Sequence, residues 1–252
     1  IPIALVVIMA VPSVRTIFQM QNAAPEDSLE IRVIGKRWWW EFEYVESGIV
    51  IGNELHVPAG RPVSLLIESD SVIHSFWVPR IGGKRDAVPG RVNRIWFTID
   101  DDIQPGQPEL YRGECAEYCG EAHALMRFDV IAHAPEEYDA WVASMQEPVQ
   151  LAADIKAAGE KAFNEGGCIG CHAITGVEGA NARRGPNLTR FGERHRLAAG
   201  TLMNTPENLK RWLADPDSIK PGTSDRFDGM KIPVELTDEQ IDTLATYLSS
   251  LK

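Results

Sequence analysis

Cysteine is scarce in this chain, basic charge is outweighed, and no apolar run is long. The 252 residues hold four cysteines, Cys115, Cys119, Cys168 and Cys171, grouped as two close pairs. Two disulfides are the plain reading, but spacings this short, with His and Met at fixed offsets, point to metal or cofactor chemistry. Lysine and arginine number 25 against 36 aspartates and glutamates, a net charge of −11. Up to residue 149 the balance is 12 against 22, and beyond it 13 against 14, so the acidity belongs to the first half. No basic stripe is available to neutralise phosphates, which removes nucleic acid from the candidate partners. An acidic half can steer a basic protein partner, or simply keep an extracytoplasmic domain soluble. The apolar run at residues 1–14 stops at Arg15, short of the roughly 20 residues that span a bilayer. No basic segment precedes it and no convincing small-residue cleavage site follows, as a signal peptide would require. We expect residues 1–24 to be the end of a transmembrane helix, with a buried core helix as the alternative. Internal repeats and low-complexity tracts are absent.

What is present is enough hydrophobic residue, 44% of the chain, for a real core. Residues 30–34 alternate apolar and polar, 63–69 are rich in aliphatics, 92–99 alternate around Trp96 and Phe97, and 127–132 close the series. Gly and Pro punctuate the gaps. The pattern predicts an antiparallel Greek-key β-sandwich of cupredoxin-like type over residues 25–134. From Pro135 the chain turns helical, with Glu136 and Glu137 in a favourable first turn. Residues 135–150 read as a helix and linker. Residues 151–252 read as a small all-α domain: an alanine-rich helix at 152–164, one opened by Thr205-Pro206-Glu207, and a last one with Thr237 and Gln240 as a capping box. A domain with so few helices needs a staple, and a cofactor can supply it.

Cys168-Ile169-Gly170-Cys171-His172 has the spacing for covalent haem attachment: two thiols add to the vinyl groups and the adjacent His faces the iron. A zinc site would need two more Cys or His at ligand distance, and His195 is the only other His of this domain. Three side chains compete for the sixth iron position, Met230, Met203 and His195. Met230 is preferred because it sits in Phe227-Asp228-Gly229-Met230-Lys231-Ile232-Pro233, a loop where a thioether has little core to fill. Pro186 is expected near the haem edge.

The other pair reads Cys115-Ala116-Glu117-Tyr118-Cys119-Gly120-Glu121-Ala122-His123-Ala124-Leu125-Met126. A single-copper electron-transfer site takes a Cys, a His and a weak Met from one loop and a distant upstream His, here His74. This loop adds a second cysteine. Two thiolates can bridge two copper ions, leaving one His and one weaker ligand for each. The soft donor set selects copper over magnesium, calcium or manganese. Sharing the electron between two bridged ions keeps each bond nearly unchanged on reduction.

With these motifs the chain resembles subunit 2 of the haem–copper cytochrome c oxidases, in the form carrying a C-terminal cytochrome c domain. The likeness extends over Gly35-Lys36-Arg37-Trp38-Trp39-Trp40-Glu41-Phe42-Glu43-Tyr44, the stretches beginning at His74 and Lys84, the copper loop and the haem motif. It implies a binuclear CuA centre held by His74, Cys115, Cys119, His123, Met126 and the Glu117 carbonyl. The Glu117 carboxylate is implied to reach a magnesium ion at the contact with subunit 1. Trp38 matches the exposed tryptophan through which electrons enter, although Lys36-Arg37 replaces the commoner His-Gln before it. Three adjacent strand residues cannot all face one side, and Trp39 is taken as a packing residue. His56 and His133 are taken as ordinary strand residues. The resemblance implies an electron-input subunit of a bacterial membrane-bound oxidase, its copper and haem domains on the outer side. Its partners would be subunit 1, other oxidase subunits and a cytochrome donor; oxygen reduction and proton movement belong to the partner. A nitric oxide reductase module or a soluble periplasmic carrier are the alternatives.

Overall fold

The alternation that begins at Leu29 is the organising feature of the first domain. The computed structural model describes residues 1–20, 23–222 and 229–252; Phe227 and Asp228 of the loop before Met230 lie outside the described residues. Helix α1 (Pro2–Met20) forms over the apolar start, with Pro12 inside it and its apolar side chains exposed. Among the described residues no helix is long and apolar enough to cross a membrane.

Ten strands follow: β1 (Leu29–Lys36), β2 (Trp39–Tyr44), β3 (Val50–Gly52), β4 (Glu54–Pro58), β5 (Val63–Ser69), β6 (His74–Trp77), β7 (Arg85–Ala87), β8 (Asn93–Phe97), β9 (Glu109–Cys115) and β10 (Arg127–His133). They make two five-stranded sheets, ordered β3-β2-β1-β5-β8 and β4-β10-β9-β6-β7. Strand β1 alternates buried and half-buried residues along its whole length, as a strand with one core face must. Leu29, Ile31, Val33, Phe42, Leu55, Val63, Leu65, Ile67 and Phe128 fill the space between the sheets.

The sandwich is mixed rather than antiparallel. β1 runs parallel to β5, with Ile31 opposite Leu65, and β4 runs parallel to β10, with Leu55 opposite Val130. In each pair the chain crosses to the other sheet before returning. A period-2 pattern sets which face of a strand is buried but carries no strand direction.

Helix α2 (Pro135–Gln146) has Pro at its first position and Glu136 and Glu137 in its first turn, as expected. Helices α3 (Ala153–Glu165), α4 (Pro206–Ala214), α5 (Pro216–Ile219) and α6 (Asp238–Ser250) frame the second domain. Thr205 caps α4 by accepting from Asn208 N, and Thr237 and Gln240 form both bonds of the capping box on α6. This domain is not purely helical. A short ribbon, β11 (Arg196–Leu197) with β12 (Leu202–Met203), sits between α3 and α4. Phe163, Leu209, Trp212, Leu244, Tyr247 and Leu248 form its own core.

Two candidate redox centres and the surface between them

His74 opens β6 and Cys115 closes β9, and these strands pair where Phe76 meets Cys115. The loop leaving Cys115 is folded back by three backbone bonds: Ala116 N to Ser75 O at 2.9 Å, His123 N to Gly120 O at 3.1 Å, and Cys115 N to Met126 O at 3.0 Å. That fold carries donors from 74 to 126 to one point. Cys115 and Cys119 Sγ lie 3.8 Å apart and are unbonded, far beyond the roughly 2.05 Å of a disulfide. Cys115 Sγ faces His74 Nδ1 at 3.9 Å and the Glu117 carbonyl oxygen at 3.2 Å. Cys119 Sγ faces His123 Nδ1 at 3.5 Å and Met126 Sδ at 3.8 Å. The ligand atoms of His74, Cys115 and Cys119 all fall within 4.8 Å of one another.

This convergence fits a pair of soft ions. Each sulfur has one imidazole nitrogen and one weaker donor beside it, and the ring of His74 is fully buried. Its orientation is enforced: a Cβ on Gly35 would come within 2.7 Å of that ring. The Cys115 thiol is pulled down to about 3, first by the hydrogen bond from Cys119 and then by His74 and backbone groups, against burial. Cys119 is correspondingly pushed up. The pair thus favours one thiolate, and thiolate is the species that binds metal. Glu117 itself is exposed, which leaves its carboxylate free of the cluster.

The second centre begins where α3 ends. Gly167 takes a left-handed φ of 73°, and a tight turn over Cys168–Gly170 follows. Cys171 N and His172 N both donate to Cys168 O, at 3.1 and 3.0 Å, which brings two free thiols and the ring onto one short hairpin of chain. His172 is buried, and its Nδ1 donates to Pro186 O at 2.7 Å. Nε2 then carries the lone pair, and burial lowers the ring's basicity so that it stays neutral. Gly185 is packed on the ring, since a Cβ there would approach it to 2.5 Å. The two thiols and the neutral Nε2 suit a haem. Met230 lines a half-polar cavity of about 510 Å³ whose apolar wall holds Leu213, Ile232 and Ile241, and whose Pro233 and Leu236 reach the Gly166–Gly167 turn before Cys168. Met203, on β12, is 51% exposed. His195 is exposed and its backbone N–H donates to Glu54 Oε1 at 2.8 Å.

The two domains share a surface that no local pattern announces. Trp38, expected to be exposed, is 6% exposed. Its Nε1 donates to Cys119 O at 2.8 Å, Lys220 donates to its carbonyl, and Gly222 sits over its ring, where a Cβ would come within 3.0 Å. Lys220 is buried, and that burial lowers it to about 7. Arg183 Nη2 meets the buried Glu41 at 2.8 Å and Glu43 at 3.5 Å, and Lys36 donates to Arg183 O at 3.1 Å. Arg196 lies 3.7 Å from Asp129, and Arg127 N donates to Ala199 O at 3.1 Å. All three tryptophans are thus buried: Trp40 in the sandwich, Trp38 and Trp39 beneath the second domain. His56 and His133 are also more than filler, with His56 Nδ1 and His133 Nε2 2.8 Å apart and His56 stacked on Trp141 at 4.3 Å.

The chain is similar to known proteins along its whole length. Residues 46–133 match the family model of the cytochrome c oxidase subunit II periplasmic domain, and residues 156–252 match that of cytochrome c. Over its whole length the chain is 40% identical to cytochrome c oxidase subunit 2 of Alkalihalophilus pseudofirmus, covering 71% of that protein. It is likewise 40% identical to the subunit 2 of Bacillus sp. strain PS3, covering 72% of it. Among solved structures, the periplasmic domain of subunit II of the cytochrome oxidase of Bradyrhizobium japonicum aligns over 49% of this chain and 96% of its own, at 27% identity and a TM-score of 0.44. A whole-length relationship of this strength places the chain in the cytochrome c oxidase subunit 2 family, as an electron-input subunit that carries a cytochrome c domain.

Proposed function

We propose that electrons reach this subunit at a haem held by Cys168, Cys171, His172 and Met230 and leave it through a CuA centre. That centre would be held by His74, Cys115, Cys119, His123, Met126 and the Glu117 carbonyl. The observation that carries the reading is the pair of unbonded sulfurs 3.8 Å apart, each flanked by an imidazole nitrogen. When bound, the copper pair and the haem supply one-electron chemistry at each site. The chain's residues do the rest. The strand ends fix His74 and Cys115, so the donors need not move between redox states. His172 is kept neutral by burial and aligned by Pro186 O. Met230 supplies a thioether from a half-buried position against the apolar wall of its cavity, whereas the exposure of Met203 and His195 argues against either as ligand. A His and Met pair raises a haem's potential toward that of a carrier.

The exposed carboxylate of Glu117 would take a magnesium ion against subunit 1, and α1 would continue a membrane anchor holding both domains on the outer face. Because Trp38 lies beneath the second domain, an outside cytochrome would deliver its electron to the haem rather than at that indole. Subunit 1 and its oxygen chemistry lie downstream.

The test is metal analysis and spectroscopy of the assembled subunit. Two coppers per haem are expected, and Cys119→Ser should abolish the paired-copper spectrum while the haem stays covalently bound. A single zinc or iron in place of the copper, or a Cys115–Cys119 disulfide in the metal-loaded protein, would overturn the reading.

A further inference from the structure

Trp39 is buried at 9% exposure, yet it belongs to neither hydrophobic core among the described residues, while Trp38 and Trp40 both belong to the sandwich core. Its ring lies at the surface between the domains. The point where a Cβ would start on Gly52 is 3.2 Å from Trp39 Cζ3 and overlaps Pro186 Cβ. Gly52 is bare on the strand beside β2, and that bareness lets Pro186 of the second domain and the indole both lie against it. Pro186 is also the residue whose carbonyl holds His172 Nδ1, at 2.7 Å. On the other side Trp39 is bonded to Trp40, whose ring meets that of His74 edge-on at 5.9 Å between centroids. His172 and His74 are the residues that would face iron and copper.

We propose that Trp39 is the junction at which the electron passes from the haem domain to the copper domain, along His172, Pro186, Trp39, Trp40 and His74. The step oxidises a reduced haem and reduces the copper pair by one electron, with no bond made or broken and no proton moved. Every link is covalent, a hydrogen bond or a ring contact, apart from the step between Pro186 and the indole, which share the space over Gly52. Trp38 offers no equivalent start. Among the described residues its contacts on the second domain are with Lys220 and Gly222, which carry no ligand, and its own hydrogen bond runs to a carbonyl already inside the copper loop. Lys36, 5.3 Å above the Trp39 ring, and its bond to Arg183 O tie the junction down from the side.

This inference rests on the haem and copper sites proposed above, and the experiment separates the two. In the assembled oxidase the haem is reduced by a light pulse and its reoxidation is followed together with the CuA band. Measurements compare the parent, Trp39→Tyr, Trp39→Leu and Trp38→Leu. Redox titration and hydrogen exchange across residues 147–152 and 183–187 report potentials and docking independently of electron flow. Trp39→Leu should slow the haem-to-copper step severalfold at unchanged potentials and unchanged exchange. Trp39→Tyr should stay close to the parent, and Trp38→Leu should slow the step less than Trp39→Leu. If leucine loosens the docking, Trp39→Met, which adapts to irregular gaps, is read against the same expected loss. A Trp39→Leu or docked Trp39→Met rate equal to the parent's, or a larger loss at Trp38, overturns the junction. A parent lacking either optical signal would instead overturn the site assignments.

Discussion

Replacing Arg183 by alanine should harm the protein more than removing the charge of Glu41, although both changes break the same ion pair. Glu41 sits in β2 with its side chain 3% exposed, and Arg183 comes from the second domain with 47% of its side chain exposed. Their bond is 2.8 Å, with Lys36 Nζ a looser partner to Glu41 at 3.7 Å. In Glu41→Gln the guanidinium can turn to water or keep one amide acceptor, a loss of about 1 kcal/mol. In Arg183→Ala the carboxylate stays buried with only Lys36 near it. Stranding a buried charge costs about 3–5 kcal/mol, and the lysine brings this to about 2–4 kcal/mol. The second domain can relieve the strain by lifting away, so the docking energy caps the loss. The assay is thermal unfolding of the metal-loaded chain, followed at the copper band, since two domains need not melt together. At about 2–4 °C per kcal/mol for domains of 150–250 residues, Arg183→Ala should lower the midpoint by roughly 4–16 °C and Glu41→Gln by roughly 2–4 °C. The double variant should be more stable than Arg183→Ala alone, because the charge it strands is gone. A midpoint for Glu41→Gln at or below that of Arg183→Ala would refute the reasoning.

Three further outcomes follow from other contacts. Gly159→Ala in α3 should destabilise by about 1–3 kcal/mol, although alanine ordinarily gains about 1 kcal/mol over glycine in a helix, because its Cβ would overlap the Tyr247 ring of α6; a raised unfolding midpoint would refute it. His133 is lowered to about 4 by burial and by His56, so the unfolded chain binds a proton that the folded one refuses between pH about 6.5 and about 4. Stability should fall as pH drops through that window, and His133→Gln should flatten the fall in denaturant titrations. Met230→Ala should change the haem's absorption and potential without copper loss, whereas Met203→Ala should leave both as they were.

The strands and helices were legible because the signals that make them are local. A period of two over β1, a proline at the start of α2 and a capping box on α6 are physical causes within a few residues of their effects. The copper loop was legible for a similar reason, since five of its six donors fall within residues 115–126, and only His74 arrives from another strand. What could not be read was direction and contact at a distance. Nothing in the composition of β4 or β5 says that its neighbour runs parallel. The ribbon of β11 and β12 pairs only two residues a side, too few for a pattern. Trp38 was misplaced at the surface because its cover, Lys220 and Gly222, lies some 180 residues away.

The same distance explains where the acidity of the first half goes. An acidic first domain invites a basic partner, and part of that partner is the chain's own second domain. Glu41 and Glu43 take Arg183, Asp129 takes Arg196, and Glu54 takes the His195 N–H beside Arg194. The second half is nearly neutral as a whole, so the match is one of placement rather than of net charge. In each the acid is buried, or half-buried at Glu43, so the cost of desolvating it offsets much of the attraction, and such pairs would hold two separate proteins only briefly. Here the connection after α2 spans a few residues, from Glu147 to Ala152, and a short tether keeps the local concentration of the second domain in the millimolar range. Weak, well-placed pairs then suffice to keep the haem domain seated over Trp38 and Trp39. Severing the linker while leaving every contact residue intact should release the domain at micromolar concentration, and a nicked chain that stays associated there would show that the surface binds by itself.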